Sequence, residues 1–399
     1  MTLTFVPVDQ VKPGQIFHSG GVDHVALTRD PDGRLGIVIS DLAATEREMG
    51  GWLQGGDPMQ DLMDAAVYKR DPEARAELMT RDDWRNFARR YIRTRHNWTR
   101  NKTLARLDRR RASQGPATVV TDAFSGRPCL IVGNGPSLAK NAALLETVDT
   151  SRAVVIYTNR VPQGARTDGA YYACVDHLGR DRSGRSFVEG LDTRSMTALL
   201  DCRVAWHVAD APWRARMWLR ASYRGDRLVA EIKRALPWVT PTVEWHLSLT
   251  RLLHAAFLWG CRPIVLVGQD LALGEEPEMH PGEPIDFSEE DEASCFFRLH
   301  PSMARFASEA GAPLPQSRFL IEQDIAGRPT WTTTDFYQAA VHVQGQMELQ
   351  TALSRIHVRR RPRFINATEG GILRRGCEHM TLAAVLEEYE LKGQRHAAA

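Results

Sequence analysis

The chain has 399 residues, 43% of them hydrophobic, with 51 Lys and Arg against 49 Asp and Glu and a formal net charge of +2. That size and apolar content suffice for a buried core in about two or three domains, and the charge balance excludes a global field directed at nucleic acid or membrane. No run approaches transmembrane length, and residues 1–17 lack the cationic start and apolar stretch of a signal peptide, so a cytoplasmic protein with no membrane partner is expected.

Near the start, two alternating apolar segments, 24–27 and 35–39, flank Asp30-Pro31-Asp32-Gly33, which spells a β-hairpin around a tight turn. Asp30 and Asp32 form the one strict Asp-x-Asp of the chain, and their place in the turn assigns them local turn chemistry rather than metal binding. From 42 to 111 the pattern becomes helical, with Trp84, Phe87, Tyr91 and Trp98 on one face. The opposite face is strongly basic, Arg85 through Arg111 against the single acid Asp108. A solvated surface and a polyanion-binding surface are both consistent with it. Residues 112–116 read as a linker, so residues 1–115 form an accessory domain of β-hairpin and basic helices, and residues 116–399 a second domain.

Beyond the linker, apolar runs at Cys129–Val132, 153–157, 171–175, 204–208, Ile264–Val267 and 358–365 alternate with helical segments. This predicts an α/β fold, a Rossmann-like, mostly parallel sheet covered on both faces. The first run leads into Gly133-Asn134-Gly135-Pro136-Ser137-Leu138 and then a helix over 139–148. Glycines there permit a close approach to a ligand, and the helix start would aim free N–H groups at a phosphate. The runs ending at 157 and 267 continue into Thr158-Asn159 and Gly268-Gln269-Asp270, and ligands of open parallel sheets sit at such carboxyl ends. Residues 274–292, dense in Glu, Asp, Pro and Gly, read as a long mobile lid, whose acidic run 289–292 is taken as solvated charge rather than a cation site. Arg359, Arg360 and Arg361 precede the last run and are candidates to stabilise a leaving phosphate. The six cysteines are scattered without a C-x-x-C pair, which favours buried free thiols.

Taken in order, the 133–138 turn, Asn159, the segment from Gly260 to Ala272 containing Gly268-Gln269-Asp270-Leu271-Ala272, Thr333-Thr334-Asp335, and Asn366-Ala-Thr-Glu-Gly-Gly371 resemble known motifs. They are similar to those of the small bacterial sialyltransferases, the motility-associated factor (Maf) flagellin glycosyltransferases and related hydroxymethylpterin pyrophosphokinase-like proteins, over roughly residues 125 to 390. The N-terminal third has no such match. The resemblance implies a sialyltransferase-like Rossmann variant that moves a sugar, a nonulosonic acid from a CMP-linked donor, to a hydroxyl acceptor on protein, glycan or a nucleic-acid base.

On this resemblance Gly133, Asn134, Gly135, Pro136, Ser137, Asn159 and Asp176 bind the nucleotide. Asp270 is a catalytic-site acid, and Thr334, Asp335, Asn366, Thr368 and Glu369 contact substrate. The structural alternatives are an Asn134 that supplies turn backbone, an Asn159 that caps a helix, and carboxylates Asp176 and Asp270 that hold turns. The sialyltransferases use a histidine general base. This chain departs from them, because Pro329-Thr-Trp-Thr-Thr-Thr334 stands where that histidine would fall. His280, ten residues after Asp270, and His300 are the substitutes. No metal and no cofactor beyond the nucleotide-sugar donor is expected. An ATP-dependent pterin-type pyrophosphokinase, a glycosyltransferase of hydroxylated DNA bases and a non-enzymatic nucleotide-binding module are the alternatives, and homo-oligomerisation is left open.

Overall fold

The computed structural model describes residues 2–7, 16–19, 22–29, 35–40, 81–111, 117–176, 178–180, 184–222, 227–243, 247–274, 278–280, 283–284, 319–356 and 362–393. The chain divides into two compact units, one of residues 1–103, 223–237 and 290–314, the other of residues 104–222, 238–289 and 315–399.

The first unit contains an antiparallel sheet of β1 (Thr2–Pro7), β2 (Ile16–Ser19), β3 (Val22–Arg29) and β4 (Leu35–Ser40) in the order β1-β4-β3-β2. The expected hairpin is the β3–β4 pair, with Val25 opposite Ile39. A helix runs from Arg81 to Arg110. The rest of the expected helical stretch, and the side chains of Trp84, Phe87 and Tyr91, lie outside the described residues, as does the turn 30–33. Trp98 is buried and donates from Nε1 to Glu231 Oε1 at 2.9 Å, on the helix Arg227–Ala235. Arg100 is exposed, as are Arg106, Arg110 and Arg111 further along the chain.

The second unit is built on nine strands, all neighbours parallel: β5 (Cys129–Val132), β6 (Val154–Thr158), β7 (Tyr171–Cys174), β8 (Thr197–Asp201), β9 (Ala215–Ala221), β10 (Thr240–Thr242), β11 (Ile264–Val267) and two more later in the chain. Between them fall two hairpins, β12 (Glu278–His280) with β13 (Glu283–Pro284), and β14 (Phe319–Gln323) with β15 (Pro329–Thr333). Then come β16 (Phe364–Asn366) and β17 (Glu378–His379). The order is β10-β9-β8-β7-β6-β5-β11-β16-β17. This is a Rossmann-like α/β fold. Strands β5, β6 and β11 are buried along their whole length, which is why they read as unbroken apolar runs rather than alternating ones. After β5 the chain winds outward through β6 to β10, then returns to the other side of β5 as β11. The winding therefore reverses between β5 and β11.

Three expectations need correction. Residues 204–208 are not a strand: the helix Trp206–Ala209 lies there, and the strand is β8, just before it. Val204, Ala205, Val208 and Ala209 are buried while Trp206 is exposed, a helical stripe that a run this short does not distinguish from a strand. Within the described part of the last expected run, 358–365, the strand begins only at Phe364 and extends to Asn366, while residues 358–361 lie outside the described set. The stretch 274–292 is not loop throughout, because it holds the β12–β13 hairpin. Cys129, Cys174, Cys202 and Cys261 are buried and in no disulfide, as is the half-buried Cys377, with Cys295 outside the described residues. No helix of the described residues is long and apolar enough to cross a membrane.

Candidate functional site

The turn after β5 is tied to the turn after β11 through its backbone. Gly133 N–H donates to the Val267 carbonyl and Gly135 N–H to the Gly268 carbonyl, each at 2.8 Å. Ser137, at the start of the helix Leu138–Leu145, donates its N–H to Asp270 Oδ1 at 3.3 Å and its hydroxyl to Oδ2 at 2.7 Å. These contacts correct one expectation. The N–H groups of Gly133 and Gly135 are not free for an anion because they donate to backbone carbonyls, and that of Ser137 is not because a protein carboxylate already occupies the helix N-terminus, where the dipole favours negative charge.

The glycines are required by this closure. A Cβ on Gly135 would lie 2.0 Å from Asp270 Oδ2, and one on Gly371 would lie 2.2 Å from the Asp270 carbonyl oxygen. Asp270 is thus enclosed, 5% exposed, and burial pushes its carboxyl up to about 6, against the opposing pull of its two bonds from Ser137.

The folded-state value lies above the ordinary 3.8, so the native protein retains a proton that the unfolded chain has lost. The stability conferred by protonated Asp270 is complete below about pH 4 and is lost as the pH rises through about 6. In thermal unfolding across that window, the wild type is expected to lose stability relative to Asp270→Asn, whose amide does not titrate. Parallel curves for the two proteins would show that Asp270 is not the group responsible.

On the other side of β5, Asn134 Nδ2 donates to the Thr158 carbonyl, and Thr158 Oγ1 donates to the Val132 carbonyl at 2.9 Å. Asn134 thereby ties the β5 turn to the end of β6. Asn159 follows directly, in the left-handed region at φ 59°, which Asn tolerates better than most residues. It caps no helix. Its N–H donates to the Ala173 carbonyl at 2.9 Å and its carbonyl accepts from the Tyr172 hydroxyl at 2.8 Å, while its side-chain Oδ1 is buried without a partner among the described residues. Asp176 closes a local turn, with Oδ1 accepting from Leu178 and Gly179 N–H at 2.5 and 3.0 Å.

The C-terminal motif clamps the β11 turn from its other flank. Asn366 accepts from Thr368 N–H and donates to the Leu373 carbonyl, both at 3.0 Å. Thr368 Oγ1 accepts from Gln269 N–H at 3.2 Å, and Ile372 N–H donates to the Asp270 carbonyl at 2.9 Å. Glu369, itself at φ 61°, accepts from Leu382 N–H at 3.0 Å at the start of the helix Leu382–Glu388. These side chains hold the site's framework.

Thr334 and Asp335 open the helix Thr334–Ile356 and His280 ends β12, but their side chains lie outside the described residues, as do His300 and Arg359–Arg361 altogether. Gln269 is the residue the sequence reading does not single out. Its 8% exposure and unpartnered Nε2 become visible only in three dimensions, although its place between Gly268 and Asp270 at a strand end is the signal that points to it. Among the described residues, no group of three His, Cys, Asp or Glu side chains is placed to hold a metal.

A groove of about 810 Å³ opens at the opposite, amino-terminal ends of β11 and β16, beside Arg262 and Phe364. Its Arg363 is already paired with Glu378 at 2.7 Å and Glu388 at 2.6 Å. The carboxyl ends, where the winding reverses, are the better candidate, since open parallel sheets bind their ligands there.

No family model matches the chain, and no curated protein matches it. Among solved structures it is similar to the MAf glycosyltransferase from Magnetospirillum magneticum AMB-1, at 15% identity and a TM-score of 0.42, over 67% of this chain and 35% of that one. The chain thus spans about a third of the length of that protein, and a likeness this distant carries no argument about activity.

Proposed function

We propose that this chain is a glycosyltransferase whose nucleotide-activated donor, a CMP-linked nonulosonic acid or a similar sugar, binds at the carboxyl ends of β6, β5 and β11. The observation that carries the reading is the gathering of three side-chain amides, Asn134, Asn159 and Gln269, where the winding of the sheet reverses, two of them with a buried polar atom that no described group satisfies. Amides suit a nucleoside, offering donors to its carbonyl and hydroxyl oxygens and acceptors to its amino and hydroxyl groups. The order of the motifs along the chain supports the same class.

In this reading the acceptor hydroxyl attacks the anomeric carbon, the nucleotide departs with the electron pair of the broken bond, and His280 or His300 takes the hydroxyl proton. Asp270 holds the β5 turn in register for the donor, and Thr334 and Asp335 lie on the substrate side. Protein or glycan is the favoured acceptor, with the basic residues of 85–111 the basis for a nucleic-acid acceptor. The reaction takes place in the cytoplasm and needs no metal.

Isothermal titration with CMP, UDP, GDP and ATP, with and without EDTA, tests the donor site. CMP is expected to bind in both conditions, and Asn159→Ala to weaken it by about 1–2 kcal/mol, the loss typical of a hydrogen bond in a buried site. Binding of ATP alone, and only with Mg²⁺, would move the reading to a pyrophosphokinase. Binding of none of the four would end it.

A further inference from the structure

Gln269 is held firmly and yet left incomplete. Its N–H donates to Thr368 Oγ1 at 3.2 Å, the carbonyl of Gly268 before it accepts from Gly135, and Asp270 after it is engaged by Ser137. The side chain lies across the first residue of the β5 turn, where a Cβ on Gly133 would fall 2.7 Å from both its Cδ and its Nε2. With 8% of the residue exposed, Nε2 has no hydrogen-bond partner among the described residues. A buried donor without an acceptor is destabilising, and a linear apolar side chain such as Met would fill the same space without that loss. Packing alone therefore does not account for an amide at this position.

We propose that Gln269 Nε2 is a ligand contact that donates a hydrogen bond to an uncharged oxygen, a ribose hydroxyl or a base carbonyl, in the nucleoside part of the donor. This rests on the nucleotide-site reading above. The uncharged class follows from the surroundings. The Asp270 carboxyl belongs to the next residue, and a phosphate placed here would meet a second negative charge in a low dielectric. The backbone N–H groups of Gly133, Gly135 and Ser137, which would otherwise offset that charge, already donate to protein acceptors. A neutral oxygen meets no such opposition. On the far side of β5, the unpartnered Oδ1 of Asn159 offers the complementary acceptor for a hydroxyl or amino group. Strand axes two apart in a sheet lie about 10 Å from each other, a separation that a nucleoside can bridge.

The test compares wild type with Gln269→Met and Gln269→Glu, by calorimetric titration of CMP and of cytidine and by thermal unfolding without ligand. Gln269→Met is expected to unfold at the wild-type temperature or above it, and to bind CMP and cytidine each about tenfold more weakly, with the ratio between them unchanged. Gln269→Glu, which presents only acceptors when ionised, is expected to bind both at least as poorly.

Several results would overturn the assignment. A lower unfolding temperature for Gln269→Met would make the amide a structural partner, and a loss confined to CMP would make it a phosphate contact. Wild-type affinity in Gln269→Glu would mean that the ligand supplies the donor. If wild type binds and Gln269→Met binds equally well, this inference fails alone. If wild type binds neither probe, the nucleotide-site reading fails and takes this assignment with it.

Discussion

Gly371→Ala is expected to destabilise the protein by about 2–5 kcal/mol, the sum of a left-handed backbone penalty and an overpacking penalty. Gly371 has φ 75°, and a Cβ there would stand 2.2 Å from the Asp270 carbonyl oxygen and 2.4 Å from its Cα, both backbone atoms with little room to move. Gly327 provides the control. Its φ is 80°, but a Cβ there would meet nothing within 4 Å, so Gly327→Ala should show the backbone penalty alone, about 1–2 kcal/mol. Urea unfolding of the two variants separates the contributions. Equal losses would mean that the β11 turn yields to accommodate a methyl group, and the close packing around Asp270 would then not be required for the fold.

The second large effect concerns a charge with no access to water. Asp201, at the end of β8, and Arg251, on the helix Ser248–Leu258, are both fully buried and hydrogen-bonded to each other. Arg203 completes the group, its Nε 2.9 Å from Asp201 Oδ1. Arg251→Met would leave the carboxylate with one guanidinium fewer in a site that cannot solvate it, and is expected to lose about 3–5 kcal/mol in denaturant unfolding. Adding Asp201→Asn should recover part of that loss, because the remaining buried group is then neutral. A double variant as unstable as the sum of the two single changes would show that the residues act independently.

The central sheet was legible because parallel strands buried on both faces are written as unbroken apolar runs. β5, β6 and β11 therefore stand within a residue of their expected places. Strand β9 was hidden by its own charges. Arg216 and Arg220 interrupt the apolar pattern, yet Arg216 pairs with Asp108 at 2.9 Å and Arg220 donates to the Val239 carbonyl at 2.8 Å, so each finds a hydrogen-bond acceptor within the strand's surroundings.

The turn motifs were legible as turns, but not what they do with their hydrogen bonds. Nothing in Gly133-Asn134-Gly135-Pro136-Ser137 announces that its last residue donates twice to a carboxylate 133 residues away, or that Gln269 next to that carboxylate is left with a free amide hydrogen. Long-range pairing of this kind has no local signature, whereas a strand or a helix is repeated along the chain.

The clamp around Asp270 also sets an order of assembly. Ser137 meets Asp270 across 133 residues, and Gln269 meets Thr368 across another 99. During synthesis β5 through β11 emerge and can pair before residues 364–373 have been made, but until then the turn after β11 has neither Thr368 beneath Gln269 nor Gly371 against Asp270. Contacts between such distant segments form late, after the entropy of closing the intervening chain has been overcome. The end of the sheet proposed to receive the nucleotide therefore depends on segments made late, and a chain released before β16 would carry the strands of the site without the contacts that complete it.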